Sequence, residues 1–490
     1  MKIYLLYPRF NEEKIEYRPP LGIAYIVASL KKIGCKEIKA VDGSLYHSYE
    51  EYVSDLKKFD PDILGISMPT ALYSETLEYI KIAKEVKPTI KIIVGGPHPS
   101  VFPKETLEIK EVNYIVMGEG EITIQELIKA LIEKKQLKEI KGIGYKEKGK
   151  IFINERRSFT KNLSEFPWPA RDFLNMDKYI HTQPFMPLPY PATYIIGSRG
   201  CFGNCIFCQP SLEKLVGKII RVREVKDLVD EIEYLIKKYK IKSINLGADE
   251  PTANKRWVIS FCKEILRRKI KIKISAPSRI DTIDEEMMYW MKKAGFIHLA
   301  FGVESVSDKI LKIMRKNITS KKIYEVFKLC EKMKICARAN LMIGTPGETA
   351  ETVNETIQFI RKAKPDFISA NITTPTPGTD LYTEAENKGI LNVKEKNEIK
   401  DYSAGYLRLE ELSSEEVQKL TKKVVKEYIK QSLIKLVNPK YWFKRSYFFK
   451  AILLYHLSLI KNPKELLRSM AKHAKYGTIK ATKYKKGLHK

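Results

Sequence analysis

Cysteine is scarce in this chain, seven in 490 residues, and it does not form the even, spread set that a secreted disulfide scaffold needs. A reducing cytoplasm is the expected compartment. No apolar run reaches the roughly 18–20 residues of a membrane-spanning helix, so no span is predicted. The opening MKIYLLYPRF is too short and too soon followed by charge for an export signal, and none is expected. Glutamine is sparse while Lys, Ile and Glu are heavily used, which suits a protein from a hot environment. Acid is nearly missing from the end of the chain. Residues 431–490 hold fifteen Lys and Arg against Glu465 alone, about half of the net charge of +29.

What is present suffices for two or three domains with real cores, since 44% of the residues are apolar and 30% charged. Over 1–140, short apolar segments (KIYLLYP, IKAVD, DILGISM, IKIIVGG, YIVMGEGE) alternate with helix-like ones, which predicts an α/β domain with a parallel, doubly wound sheet of Rossmann type. Three turns there follow strands and are built of small residues: GIS (65–67), GGPHPS (95–100) and GEGE (118–121). Residues 141–190, with FPWPARDF and QPFMPLPYP, read as a linker because proline removes donors and disfavours regular structure. From 191 to 385 about six further strand–helix units predict a partial (β/α)6 barrel with its chemistry at the carboxyl ends of the strands. Residues 386–490 are expected to form a basic, helical C-terminal domain.

Three of the seven cysteines sit in SRGCFGNCIFCQP (198–210), straight after the first barrel strand, as C-x3-C-x2-C. Three thiolates on one loop can each take one iron of a [4Fe–4S] cluster and leave the fourth iron open to a substrate or cosubstrate. A zinc site completed by a distant His is the competing reading, but structural zinc sites generally pair C-x2-C twice, and no second pair exists. Cys35, Cys262, Cys330 and Cys336 are expected to be ordinary thiols.

With Phe207 before the last cysteine, the loop resembles that of the radical SAM superfamily, and the chain over about 1–385 is similar to its branch with an N-terminal cobalamin-binding domain. The resemblance implies that Cys201, Cys205 and Cys208 hold the cluster and that S-adenosylmethionine (SAM) chelates the open iron. An electron from a donor such as ferredoxin or flavodoxin then yields a 5′-deoxyadenosyl radical. GADEP (247–251) looks like the motif near the methionyl amino group, which implies Gly247, Asp249 and Glu250 as SAM contacts, and Glu304 in GVES (302–305) resembles a later strand-end motif. GTPGET (344–349) and TPGTDLY (376–382) are similar to further ones. The resemblance places a cobalamin on Ser67, Gly95, Gly96, Gly118 and Glu119. The D-x-H-x-x-G loop of cobalamin mutases is absent: Asp42 is followed by GSLYH, and His47 is expected to be a surface residue rather than a cobalt ligand.

The segment YWFKRSYFFKAILLYHLSLI (441–460) combines aromatic and aliphatic residues with Lys444, Arg445 and Lys450. It is too short to span a membrane but apt to lie in a lipid interface. That favours a peripheral enzyme at the inner face of the membrane, acting on an unactivated carbon of a lipid or isoprenoid chain, with ring formation in archaeal tetraether lipids as the nearest resemblance. The alternative is a cobalamin-dependent methyltransferase on a soluble metabolite. A nucleic-acid substrate is disfavoured, since the RNA methylthiotransferases that share this barrel carry a second cysteine trio and here only Cys35 precedes the linker.

Overall fold

The computed structural model describes residues 1–8, 19–180, 188–247, 249–393, 398–399 and 405–436. In the N-terminal region β1 (Ile3–Tyr7), β2 (Ile38–Asp42), β3 (Ile63–Ser67), β4 (Lys91–Gly95), β5 (Tyr114–Val116), β6 (Ile143–Glu147) and β7 (Lys150–Ile153) form one sheet, in the order β2-β1-β3-β4-β5-β6-β7. The first five run parallel and β6 and β7 antiparallel. Alternation sorts the side chains. Tyr4, Leu6, Leu64 and Ile66 enter a core on one face, while Ile3, Leu5, Ile63 and Ile93 pack on the other with the helices Leu21–Lys32 and Gly120–Glu133. The strand order reverses between β1 and β3, which opens a crevice at their carboxyl ends.

The linker expectation fails for residues 143–153, which pair as the β6–β7 hairpin of this sheet. Its two-residue turn, Lys148-Gly149, has positive φ at both positions, 48° and 77°, as a right-twisted hairpin requires. Lysine is an unusual choice at the first of these, and that hides the turn from sequence.

The second sheet holds β8 (Ala192–Ile196), β11 (Ser243–Gly247), β12 (Lys273–Ser278), β13 (Phe296–Glu304), β14 (Cys336–Ile343) and β15 (Phe367–Ile372), all parallel and in sequential order. Between β8 and β11 a short antiparallel ribbon joins β9 (Ser198–Arg199) to β10 (Arg221–Val222). Helices cover the outer face. Helix Val225–Tyr239 buries Leu228, Ile232 and Leu235 at helical spacing. The side chains of Asn254, Asp284, Thr319 and Thr349 cap the following helices by accepting from backbone amides in their first turns.

Because Leu299, Phe301, Ala339 and Leu341 belong to the outer core, the intervening residues face the barrel interior. Parallel strands are usually apolar on both faces. Here the inner face carries Asn245, Ser275, His298, Arg338, Asn340 and Asn371.

Helix Ser414–Leu436 does not begin a separate domain. Val417, Val424 and Tyr428 join the barrel core, and the Tyr428 hydroxyl donates to the Asp366 carbonyl at 2.8 Å. The candidate membrane segment, 441–460, lies outside the described residues. Among the described residues no helix is long and apolar enough to cross a membrane.

Candidate active site: a cysteine loop facing a glycine-walled cleft

The cysteine loop leaves the carboxyl end of β9 and returns through the helix Ser211–Val216 to β10. Gly200 has φ +100°, and a Cβ there would lie 2.2 Å from the Ile219 carbonyl oxygen, so only glycine fits. Its amide donates to Asp249 Oδ2 at 2.9 Å. Cys205 is buried, whereas Cys201 and Cys208 are partly accessible. Burial pushes the Cys208 thiol up to about 12, with the Cys205 thiol adding to the rise and the Lys316 ammonium opposing it. Burial likewise raises Cys201. Such thiols become thiolates when a metal takes the place of the proton. Among the described residues no three or more His, Cys, Asp and Glu side chains are grouped as one ion would need. A cubane differs, because each of its protein ligands meets a separate iron.

Two cations missed in the sequence reading flank the loop. Arg279 Nη1 lies 4.0 Å from Cys205 Sγ, and its guanidinium sits over the Phe202 ring at 4.9 Å while Asp281 and the Lys316 carbonyl hold it in place. Lys316 pairs with Glu304 at 3.0 Å and stands over the Phe207 ring at 5.8 Å. Glu304 has a left-handed φ of 64°. At Gly203 a Cβ would come within 2.7 Å of Arg279 Nη1 and 3.3 Å of Cys201 Sγ, so glycine lets the loop close around this cation. An anionic cluster on the thiolates would find two counter-charges already built. The only sequence signal was for Arg279, a charge just past the end of β12; Lys316 follows the helix Asp308–Ile313.

The expected SAM contacts occupy the same rim. Asp249 receives the Gly200 amide, and burial raises its carboxyl while Arg199 and Arg221 oppose the rise. Glu250, buried, accepts from Thr252 and from the Arg279 amide at 3.3 Å; burial raises it too. Gly247 ends β11 beside them.

The crevice at the ends of β1, β3, β4 and β5 is an open cleft with a cavity volume of about 390 Å³. Ser67, Gly95, Gly96, Gly118 and Glu119 all line it, together with Gly22, Gly65 and, from the barrel side, Arg199, Leu215 and Val216. An added Cβ at Gly22 would meet nothing within 4 Å, and one at Gly95 only the Val116 carbonyl at 4.0 Å. Those walls are bare backbone open to a large planar ligand, and the residues present fit a corrin held by its rim. His47 is exposed and does not line the cleft; its amide donates to Glu51 at 2.9 Å.

Residues 195–360 match the radical SAM superfamily, and residues 16–128 match the B12-binding domain. The chain is 33% identical to an uncharacterized methyltransferase of Pyrococcus horikoshii over 83% of its own length and 86% of the relative's. The chain belongs to the radical SAM enzymes that carry a B12-binding domain. Its cofactors follow from that membership: a [4Fe–4S] cluster, SAM and cobalamin. It is also 28% identical to the anaerobic magnesium-protoporphyrin IX monomethyl ester cyclase of Rubrivivax gelatinosus, over 79% of this chain and 70% of that one. In fold it is similar to the cobalamin-dependent SAM radical enzyme OxsB, solved with aqua-cobalamin and SAM bound, with a TM-score of 0.72 and 20% identity, covering 96% of this chain and 74% of that one.

GTPGET supplies a pH-sensitive group to this radical SAM barrel. Glu348 is fully buried and accepts from the Gly344 and Thr345 amides, yet burial outweighs those bonds and pushes its carboxyl up to about 7. The folded value exceeds the ordinary 4.5, so the group's contribution to stability is fully present below about 4.5 and is lost as pH rises through about 7. Glu348→Gln is expected to flatten that fall and to gain up to about 3 kcal/mol at pH near 8, read from denaturant midpoints across the pH range. A variant that keeps the native pH profile would refute the assignment.

Proposed function

We propose that this protein is a cobalamin-dependent radical SAM methyltransferase that acts on a carbon of a polar, water-soluble metabolite. The observation that carries this reading is the polar inner wall of the barrel. His298 is buried, with Nδ1 2.8 Å from Ser275 Oγ, and its Nε2 has no hydrogen-bond partner among the described residues. Burial lowers its pKa well below the usual value, so it faces the interior as a neutral imidazole. Arg338 stands over the Phe367 ring at 5.7 Å on the same face. A hydrocarbon chain drawn along the accessible part of this wall, Arg338, Asn340 and Asn371, would strip water from polar groups and return no hydrogen bonds, at about 1–3 kcal/mol for each group left unsatisfied. A polar metabolite replaces those bonds. The relative from Pyrococcus horikoshii supports methyl transfer by its name, and the preference drawn from the basic tail alone, for a lipid, is thereby reversed.

In this reading Cys201, Cys205 and Cys208 hold the cluster, Asp249, Glu250 and Glu304 border the SAM site, and the glycine-rich loops hold the corrin. When bound, the cluster supplies the electron that cleaves SAM, and cobalamin supplies a methyl carrier. The chain's own residues keep two cations against the thiols and line the substrate's place with donors and acceptors.

The test uses anaerobically reconstituted protein with hydroxocobalamin, reductant and methyl-deuterated SAM, offered polar and lipid extracts separately. A labelled methyl group appearing in a polar compound is the expected result. Labelling confined to lipids, or a product that has lost two hydrogens and gained no carbon, would overturn it in favour of lipid chemistry or ring closure respectively.

A further inference from the structure

Glu119 stands in the cleft wall, where the sequence suggests a corrin contact, but its carboxylate is committed elsewhere. Arg221 Nη1 donates to both of its oxygens, at 2.9 and 2.8 Å, and Arg199 Nη1 donates to Oε1 at 2.9 Å. The Thr160 amide reaches Oε2 at 3.2 Å. Arg199 and Arg221 are directly paired across the β9–β10 ribbon, whose two strands are the base from which the cysteine loop departs and to which it returns. One carboxylate of the B12-binding domain therefore grips both ends of the thiol-bearing loop. The grip is dry: Glu119 is 7% exposed, Arg221 7% and Arg199 14%. It is also crowded. Arg199 adds an ion pair to Glu121 and lies over the Tyr25 and Phe166 rings at 5.4 and 5.1 Å, while Arg221 lies over Phe159 at 4.9 Å. Two guanidinium groups against two carboxylates leave no net charge, and orientation is fixed as well as distance, since Arg199 spans Glu119 and Glu121 with its two terminal nitrogens while Arg221 holds Glu119 with Nη1 and the Val216 carbonyl with Nη2.

We propose that Glu119 is a positioning residue that couples occupancy of the corrin cleft to the placement of the cluster loop. Glu119 and Glu121 flank Gly120 at the start of the helix Gly120–Glu133, and both line the cleft with Arg199. A ligand that displaces this loop carries Arg199 and Arg221 with it, and with them the backbone of Gly200 and Cys201. The inference rests on the reading that the corrin occupies this cleft and the cluster the cysteine loop.

The experiment is a redox titration of the reconstituted cluster, followed by electron paramagnetic resonance, with and without hydroxocobalamin, in the full-length native protein and in Glu119→Gln. The native protein is expected to bind one corrin and to show a shifted cluster midpoint when it does. Glu119→Gln is expected to keep full iron and corrin stoichiometry and to lose the shift. Full stoichiometry with the native shift retained overturns the inference alone, as does a native protein that binds corrin with no shift. A native protein that binds no corrin overturns the cleft reading and the inference with it. Should Glu119→Gln prove insoluble, Arg221→Lys, which keeps the charge and loses the guanidinium that joins Glu119 to the Val216 carbonyl, decides by the same criteria.

Discussion

Replacing any one of Cys201, Cys205 and Cys208 by Ala is expected to take the anaerobically reconstituted protein from about four irons per chain toward none, and to reduce 5′-deoxyadenosine formation by more than about a hundredfold. The three thiols lie on one loop between β9 and β10, with Arg279 and Lys316 as the nearest cations. No other grouping of thiols offers itself: Cys262, Cys330 and Cys336 are buried in the barrel and Cys35 lies in the other domain. Burial alone pushes the Cys262 thiol up to about 12. Cys262→Ala should therefore leave iron content and SAM cleavage at native levels, which separates loss of a ligand from loss of a thiol. A triple Ala variant that retained four irons and its SAM cleavage would sink the assignment.

The largest effect on stability is expected at Glu231. This carboxylate lies on the helix Val225–Tyr239, is fully buried, and pairs with Arg171 from the PWPARD segment and with Arg223 just past β10. Arg223 also reaches Asp227, which accepts from Trp168 Nε1 at 2.7 Å. Burial works against the charge on Arg223, and Glu231 with Tyr25 and Asp227 together more than offsets it. Glu231→Ala would leave two guanidinium groups in a dry site with their common partner gone, and the expected loss is about 3–5 kcal/mol. Against a total of about 5–15 kcal/mol, that amounts to a large fall in denaturant midpoint or a failure to accumulate as soluble protein. Replacing all three members by apolar residues of similar volume should cost far less, since desolvation offsets most of what the pairs return. A Glu231→Ala protein within about 1 kcal/mol of native would show that water or rearrangement relieves the two cations.

Much of this was legible in the sequence because it is local. The cysteine spacing, the glycine turns after β4 and β5, and the alternation of strands and helices each occupy a few consecutive residues; GIS (65–67), read as a turn, is instead the end of β3, and its Gly65 and Ser67 line the same cleft as those turns. The cations around the thiols were not legible in that way. Arg279 and Lys316 lie more than seventy residues beyond Cys208, and only the barrel brings them to the loop. Glu119 was read as a ligand contact because its turn is right; what its carboxylate touches depends on Arg199 and Arg221, in another domain. The polar inner wall was visible and unused: in FIHLAFG and CARANLM polar or small residues alternate with apolar ones, and that period of two marks a strand with only one greasy face. The Lys148-Gly149 hairpin departs from the Asn-Gly or Asp-Gly pattern that announces such turns.

The same hairpin gives the N-terminal sheet an open side. Among the described residues β7 has a strand neighbour on its β6 side alone, and Phe152 and Ile153 on it are 38% and 43% exposed. A bare, partly apolar edge is a template on which a second copy can add a strand and begin a precipitate. Here the exposed Lys148 and Lys150 stand at the hairpin end, with Glu147 opposite Lys150, so two copies meeting edge to edge bring ammonium groups together in one small patch. Colloidal behaviour should therefore track those ammonium groups: acetylating them, or screening them with concentrated salt, is where turbidity of an otherwise intact protein is expected to begin.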